Sequence, residues 1–136
     1  MSSYKELRVW NESRKLMKDI YLLTRKLPEY ELYGLSSQMR RAVVSILSNI
    51  AEGSGRGTLQ DYIRFLYLAR GSSYELVTQL IVCMDLGYSP KDEIGPLIEK
   101  GQQISWMITR LINKLESMRR DGQTVWEEPE EYNGFN

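Results

Sequence analysis

Apolar residues recur along this chain at spacings of three and four, and proline- and glycine-containing breaks divide that pattern into four helical segments. Over residues 7–27, Val9, Leu16, Ile20, Leu23 and Leu27 form one stripe, with Trp10, Met17 and Tyr21 beside it. Pro28 ends the segment by removing a backbone donor, and 29–33 read as a connector. Over 35–52, Leu35, Met39, Ala42, Val43, Ile46 and Ile50 share a face. The third segment, 59–86, carries two apolar stripes: Leu59, Ile63, Leu66, Val77, Leu80 and Met84, and then Tyr62, Phe65, Ala69, Leu76 and Cys83. A helix apolar over more than half its circumference needs two partners, so the bundle core predicts one and a second subunit the other. Gly87 and Ser89-Pro90 then reverse the chain. Because Pro96 removes a backbone bond from any helix begun at Pro90, the sequence predicts a short turn at 90–94 and a main helix from about Pro96 to Arg119-Arg120. Its apolar positions, Leu97, Gly101, Ile104, Ile108, Leu111, Leu115 and Met118, are heptad-like. The expected fold is all-α: an antiparallel up-down four-helix bundle over 1–120, with a second subunit against the outer stripe of the third helix.

The stretch 34–75 organises the rest, because its two helices flank Gly53-Ser54-Gly55-Arg56-Gly57-Thr58 and carry polar residues on otherwise core-forming segments. The glycines supply the freedom to stop the first helix, and Thr58 with Asp61 resembles a capping box opening the next. The turn lacks the lysine-serine ending of a phosphate-binding loop, and no strand precedes it. Gln38, Arg41, Ser45, Ser48, Asn49 and Glu52 line the second side of the second helix. Ser and Asn compete for backbone hydrogen bonds in mid-helix, which favours helix contact over plain exposure. Arg40, Arg41, Ser45, Asn49, Glu52, Arg70, Ser72 and Glu75 are therefore assigned to structure and assembly. Antiparallel pairing about Gly55 sets Arg41 near Ala69, Gln38 near Ser72, and Glu75 within a turn of Arg40-Arg41. If an ion pair there is buried, losing one partner costs roughly 3–5 kcal/mol. The competing reading of these polar residues is a ligand site.

Composition narrows the chemistry. The chain of 136 residues has one-domain length, and its 42% apolar content is ordinary for a folded core. There is no histidine, no cysteine cluster for zinc, no Glu-x-x-His di-iron motif and no nucleophile elbow. A non-enzyme without cofactor or metal is expected. Cys83, alone in LIVCMDL, reads as a small hydrophobe. No apolar run reaches 18 residues and the first residues lack a secretory pattern, so a cytoplasmic protein without a membrane partner is expected.

The formal net charge is zero, yet Asp121, Glu127, Glu128, Glu130 and Glu131 place five negatives and no cation in 121–136. Residues 1–120 hold the 18 basic residues against the remaining 13 acidic ones. The end segment reads as a flexible acidic tail whose Trp126, Tyr132 and Phe135 also fit docking on a basic partner. On the first helix, Arg8, Arg14, Lys15, Lys18, Arg25 and Lys26 wrap the outer face and are the candidate nucleic-acid site. A solvated bundle surface shows the same spacing.

Taken together, Leu7-x-Val9-Trp10, Leu27-Pro28, Glu31-x-Tyr33-Gly34-Leu35-x-x-Gln38, Arg40-Arg41-Ala42, Ser45-Ile46, Asn49-Ile50-Ala51-Glu52-Gly53, Phe65-Leu66, Ala69-x-Gly71-Ser72-x-x-Glu75 and Leu86-Gly87-Tyr88 resemble the four-helix proteins encoded in intervening sequences of bacterial 23S rRNA genes. The resemblance spans residues 5 to 118, and NIAEG followed by A-x-G-S-x-x-E is its specific part. It implies a four-helix bundle assembling as a homopentameric ring, similar to accessory variability proteins of diversity-generating retroelements. Those relatives have a basic surface, bind nucleic acid and contact a reverse transcriptase. The acidic end departs from the usual pattern. Two functions follow as expectations: an oligomeric RNA- or DNA-binding accessory protein, or a scaffold for a partner enzyme.

Overall fold

In a computed structural model, which describes residues 3–127, four helices account for most of the chain: α1 (Arg8–Arg25), α2 (Leu35–Ser54), α3 (Leu59–Asp85) and α4 (Lys91–Arg120). Short 3-10 turns at Tyr4–Glu6 and Glu29–Glu31 precede α1 and α2. Consecutive helices pack as neighbours and α4 closes back on α1, while the two diagonal pairs stay apart. The helices run antiparallel, since partner numbers fall on one helix as they rise on the other. Trp10 Nε1 donates to the Leu47 carbonyl at 3.2 Å, and Arg40 Nε to Thr24 Oγ1 at 2.8 Å. Between α3 and α4, Arg70 Nη1 donates to Thr109 Oγ1 at 3.2 Å, and Ser73 and Ser105 share a buried 2.6 Å hydrogen bond.

The core forms where the periodicity puts it. All six apolar positions expected on the core face of α2 are buried, as are Val9, Leu16, Ile20, Leu23 and Leu27. On α3 both stripes turn inward, with Val77 and Met84 half-buried at the edge. Outside them, Tyr67, Leu68, Tyr74, Ile81 and Val82 remain exposed, a second apolar surface that the bundle leaves uncovered.

Three local expectations are corrected. The glycine run does not stop α2 at Gly53: the helix continues through Ser54, and only Gly57 takes a left-handed conformation, at φ 93°. Gly53 serves close approach instead, because a Cβ there would lie 2.6 Å from Phe65 Cβ and 3.2 Å from the Tyr62 carbonyl oxygen. The α2/α3 register also differs from the expected one, by about two turns. Ser72 Oγ donates to Ser45 Oγ at 2.9 Å, seven positions beyond Gln38. Thr58 does cap α3, accepting from the Asp61 amide at 3.2 Å.

Proline does not divide the last segment either: α4 is one helix from Lys91 with Pro96 inside it. The residue before Pro96 is Gly95, which has no Cβ to collide with the ring, and the lost bond falls at Asp92, in the exposed first turn. Acidic Asp92 and Glu93 at this end suit the helix dipole.

The acidic end also begins differently from a flexible tail. Gly122, at φ 96°, turns the chain, and Gln123 N–H bonds back to the Met118 carbonyl. The chain then returns to the α2–α3 turn. Leu59 N–H, one of the orphan donors of the α3 start, bonds the Thr124 carbonyl at 2.9 Å. Trp126 N–H bonds the Gly57 carbonyl at 3.0 Å, and its buried indole meets the Tyr62 ring edge-on at 5.2 Å. Tyr132, Phe135 and the acids at 128, 130 and 131 lie outside the described residues.

Candidate nucleic-acid interface

The six basic residues assigned to α1 lie outward as expected but do not converge on one site. The helix spreads them over roughly 27 Å, at about 1.5 Å per residue from Arg8 to Lys26. Arg8, Lys15 and Lys26 lie on the α4 side. Two of them meet carboxylates: Lys15 with Glu12 at 3.4 Å and Lys26 with Glu93 at 2.9 Å. Glu12 also takes a 2.8 Å bond from Lys100 of α4. That bond, with the charges of Lys100 and Lys15, holds the Glu12 carboxyl below its ordinary range. Arg14 lies over the Trp10 ring at 5.3 Å. Lys18 and Arg25 face solvent with no carboxylate partner among the described residues.

Of the six, Arg25 lines a cleft of about 300 Å³ that also holds Glu29 and Arg40, and Arg8 joins a groove whose lining holds no carboxylate. Of the four neighbouring helix pairs, α1 and α4 pack least closely. At the α1 start this leaves a groove of about 330 Å³, lined by Arg8, Trp106, Met107, Arg110, Leu111 and Lys114 among others. Its three cations face no carboxylate in the lining. Trp106 is 58% exposed, and the Arg110 guanidinium sits over its ring at 4.8 Å from the centroid. Trp106, Arg110 and Lys114 escaped the sequence reading, although their four-residue spacing is the signal of one helix face.

The polar residues of the hairpin divide into two groups. Arg40 and Arg70 each tie adjacent helices. The Arg40 guanidinium stacks on Tyr21 at 4.8 Å besides bonding Thr24, and Arg70 lies over Tyr67 at 4.7 Å besides bonding Thr109. Asn49 Nδ2 donates to Ser45 Oγ at 2.9 Å, extending the Ser45–Ser72 contact into a short chain between α2 and α3. Glu52 lies outside this chain, 3.8 Å from Arg56 at the helix end.

Arg41 and Glu75 do come near each other, lining a cleft of about 300 Å³ with Gln38, Ala42, Ser45 and Ser72. They form no ion pair with each other, and both side chains are exposed. Glu75 accepts instead from Gln79 Nε2 at 3.3 Å. The cost of an orphaned buried charge therefore does not apply to this pair.

At the opposite end of the bundle, Glu31 links the two connectors. One carboxylate oxygen accepts from the Leu35 amide at 3.4 Å, capping α2, and the other from the Tyr88 hydroxyl at 2.9 Å. The neighbouring Tyr30 hydroxyl, burial and the Glu31 carboxylate push the Tyr88 phenol well above its ordinary range. Cys83 is fully buried, and burial first, then Glu31 and Glu93, push its thiol up. Among the described residues no three His, Cys, Asp or Glu side chains cluster as metal ligands, and no helix is long and apolar enough to cross a membrane.

No curated protein matches the chain. Among solved structures, a protein of unknown function from the S23 ribosomal protein family of Bacteroides thetaiotaomicron shares the fold at a TM-score of 0.68. It is 22% identical, and the match covers 76% of this chain and 97% of that one. Residues 5–110, well over half of the chain, match the family described as 23S rRNA-intervening sequence protein. That span takes in α1, α2, α3 and most of α4, so the chain belongs to the 23S rRNA-intervening sequence protein family.

Proposed function

We propose that this protein is a non-enzymatic, oligomeric nucleic-acid-binding accessory protein that works in the cytoplasm and presents the outer face of α1 and the adjoining α4 groove to RNA or DNA. The observation that carries the reading is the set of cations left uncompensated on that side: Arg8, Lys18 and Arg25 on α1, and Arg110 and Lys114 on α4, make no ion pair among the described residues. Phosphate neutralisation by such residues releases counterions and makes binding fall with salt.

Assembly is the second part. The exposed ridge of Tyr67, Tyr74 and Ile81 on α3 differs from the groove of about 670 Å³ between α1 and α2, where Leu32, Tyr33 and Val44 are exposed. Two unlike faces that join head to tail generate a ring when the rotation closes, and the resemblance of the sequence to pentameric proteins makes five subunits the expected closure.

Titration of a structured RNA at low salt tests the first part, with Arg14→Glu/Lys18→Glu/Arg25→Glu as the variant. Salt-sensitive binding, weakened by the triple substitution while helicity is kept, is the expected result. No binding at low salt, or binding indifferent to salt, overturns it. The acids and aromatics of residues 121–136 support a second reading, a scaffold that docks a partner enzyme through this end segment. Deleting 128–136 separates the two, because it leaves Trp126 in place. A nucleic-acid binder then binds as well or better, whereas a scaffold that docks through the tail loses its partner.

A further inference from the structure

Resting on that reading, we infer that the groove between the start of α1 and the last turns of α4 takes an unpaired nucleotide, with its base stacked on Trp106 and its phosphates held by Arg8, Arg110 and Lys114. The chemistry of the lining selects this occupant. Trp is a large apolar side chain, and 58% exposure of one in mid-helix leaves most of a ring in water unless something covers it. Arg110 lies over the ring at 4.8 Å and still leaves it that exposed. A planar π-system stacks on indole, and the bases of a single strand offer such faces while those of a duplex are already stacked on each other. Met107 and Leu111 supply an apolar floor. The three cations with no opposing carboxylate set the charge of the occupant: a polyanion fits, and an acidic counterpart from the same lining is absent.

The opening of about 330 Å³ lies at the small end of ligand-sized clefts. The site therefore reads one nucleotide of a strand, and the rest of the strand has the outer face of α1 to follow. Sequence tolerance is expected, because every base has a π-face.

The test titrates the full-length protein with a fluorescently labelled uridine oligomer and, separately, with an RNA duplex of the same length, for the wild type, Trp106→Ala, Trp106→Phe and Arg14→Glu/Lys18→Glu. Stacking on one aromatic ring predicts that Trp106→Ala weakens oligomer binding about five- to 150-fold, the equivalent of roughly 1–3 kcal/mol. Trp106→Phe retains most of the affinity, and duplex binding changes less than twofold. Arg8→Ala/Lys114→Ala should flatten the plot of log affinity against log salt by about 1.4 for its two phosphate contacts. Equal losses on oligomer and duplex, or no loss on either, overturn the stacking site while leaving the proposed function standing if the α1 variant still weakens binding. Failure of the wild type to bind either RNA removes the functional reading itself. A changed molar mass for Trp106→Ala in light scattering overturns the inference by making the residue a subunit contact.

Discussion

Replacing Trp126 by alanine should cost this bundle a substantial part of its stability, although the residue lies beyond the last helix. Burial of about 200 Å² of indole at about 25 cal/mol/Å² is worth about 5 kcal/mol. A compact unfolded chain already hides some of that surface, which lowers the gain to about 3–4.5 kcal/mol. Trp126 Nε1 is buried and finds no acceptor among the described residues, a cost of about 1–2 kcal/mol against it. The net expectation is a loss of about 1–3.5 kcal/mol, or about 4–14 °C in melting temperature for a domain of this size. Thermal denaturation followed by circular dichroism at fixed protein concentration measures it, since the proposed assembly makes the midpoint concentration-dependent. Trp126→Phe should stay within about 1 kcal/mol of the wild type, because the ring contact with Tyr62 persists and the unpaired N–H disappears. Truncation after Arg120 should match or exceed the alanine loss, since it also removes the Thr124 carbonyl that satisfies Leu59 N–H. Truncation after Glu127 should change little. A variant ending at Arg120 that melts within 2 °C of the full chain would refute the docking argument.

Other outcomes follow from single contacts. Gly101→Ala places a Cβ 2.7 Å from Val77 Cγ2; the stiff β-branched neighbour should make it lose about 1–3 kcal/mol in urea unfolding, and Val77→Ala should restore most of it. No loss in the single variant would show that α3 and α4 separate at no cost. Glu12 has a folded pKa below its ordinary 4.5, so its stabilising effect is complete above that pH and disappears as pH falls through the lower folded value. The stability gap between wild type and Glu12→Gln should accordingly shrink below pH 4.5, and a gap constant from pH 7 to pH 3 contradicts the Lys100 contact. Tyr88→Phe removes the donor to Glu31 and should lower the urea midpoint; an unchanged midpoint would deny the link between connectors.

Helix existence and the inward stripes were legible because they rest on a period that local sequence carries by itself. Every apolar position named on α2 is buried, and the Thr58 cap forms as its spacing implied. What escaped the sequence depended on a partner distant in the chain. Gly53 reads as a helix stop by its own flexibility, yet Phe65 and Tyr62 make it a contact point inside α2, which ends two residues later than expected. Pro96 reads as a boundary until Gly95 beside it and the solvated first turn are counted. Trp126 sits in a composition typical of unstructured ends, and only the orphan amide of Leu59 and the Tyr62 ring give it a place. The candidate interface was half legible for the same reason. The outward basic residues of α1 follow from the helical period, whereas the Arg8 groove needs the α1/α4 register, which no local rule contains.

Trp10 fastens the beginning of α1 to the carbonyl of Leu47, and Trp126 fastens the closing segment beside Gly57. The beginning of α1 and the segment after α4 thus share one pole of the bundle, while Glu31 and Tyr88 seal the other. A peptide joining Tyr4 to Glu127 would convert the described chain into a closed loop without crossing the bundle. A new opening at Gly87, exposed and already in a turn, would then give a permuted chain that begins with α4 and retains all four helix neighbours.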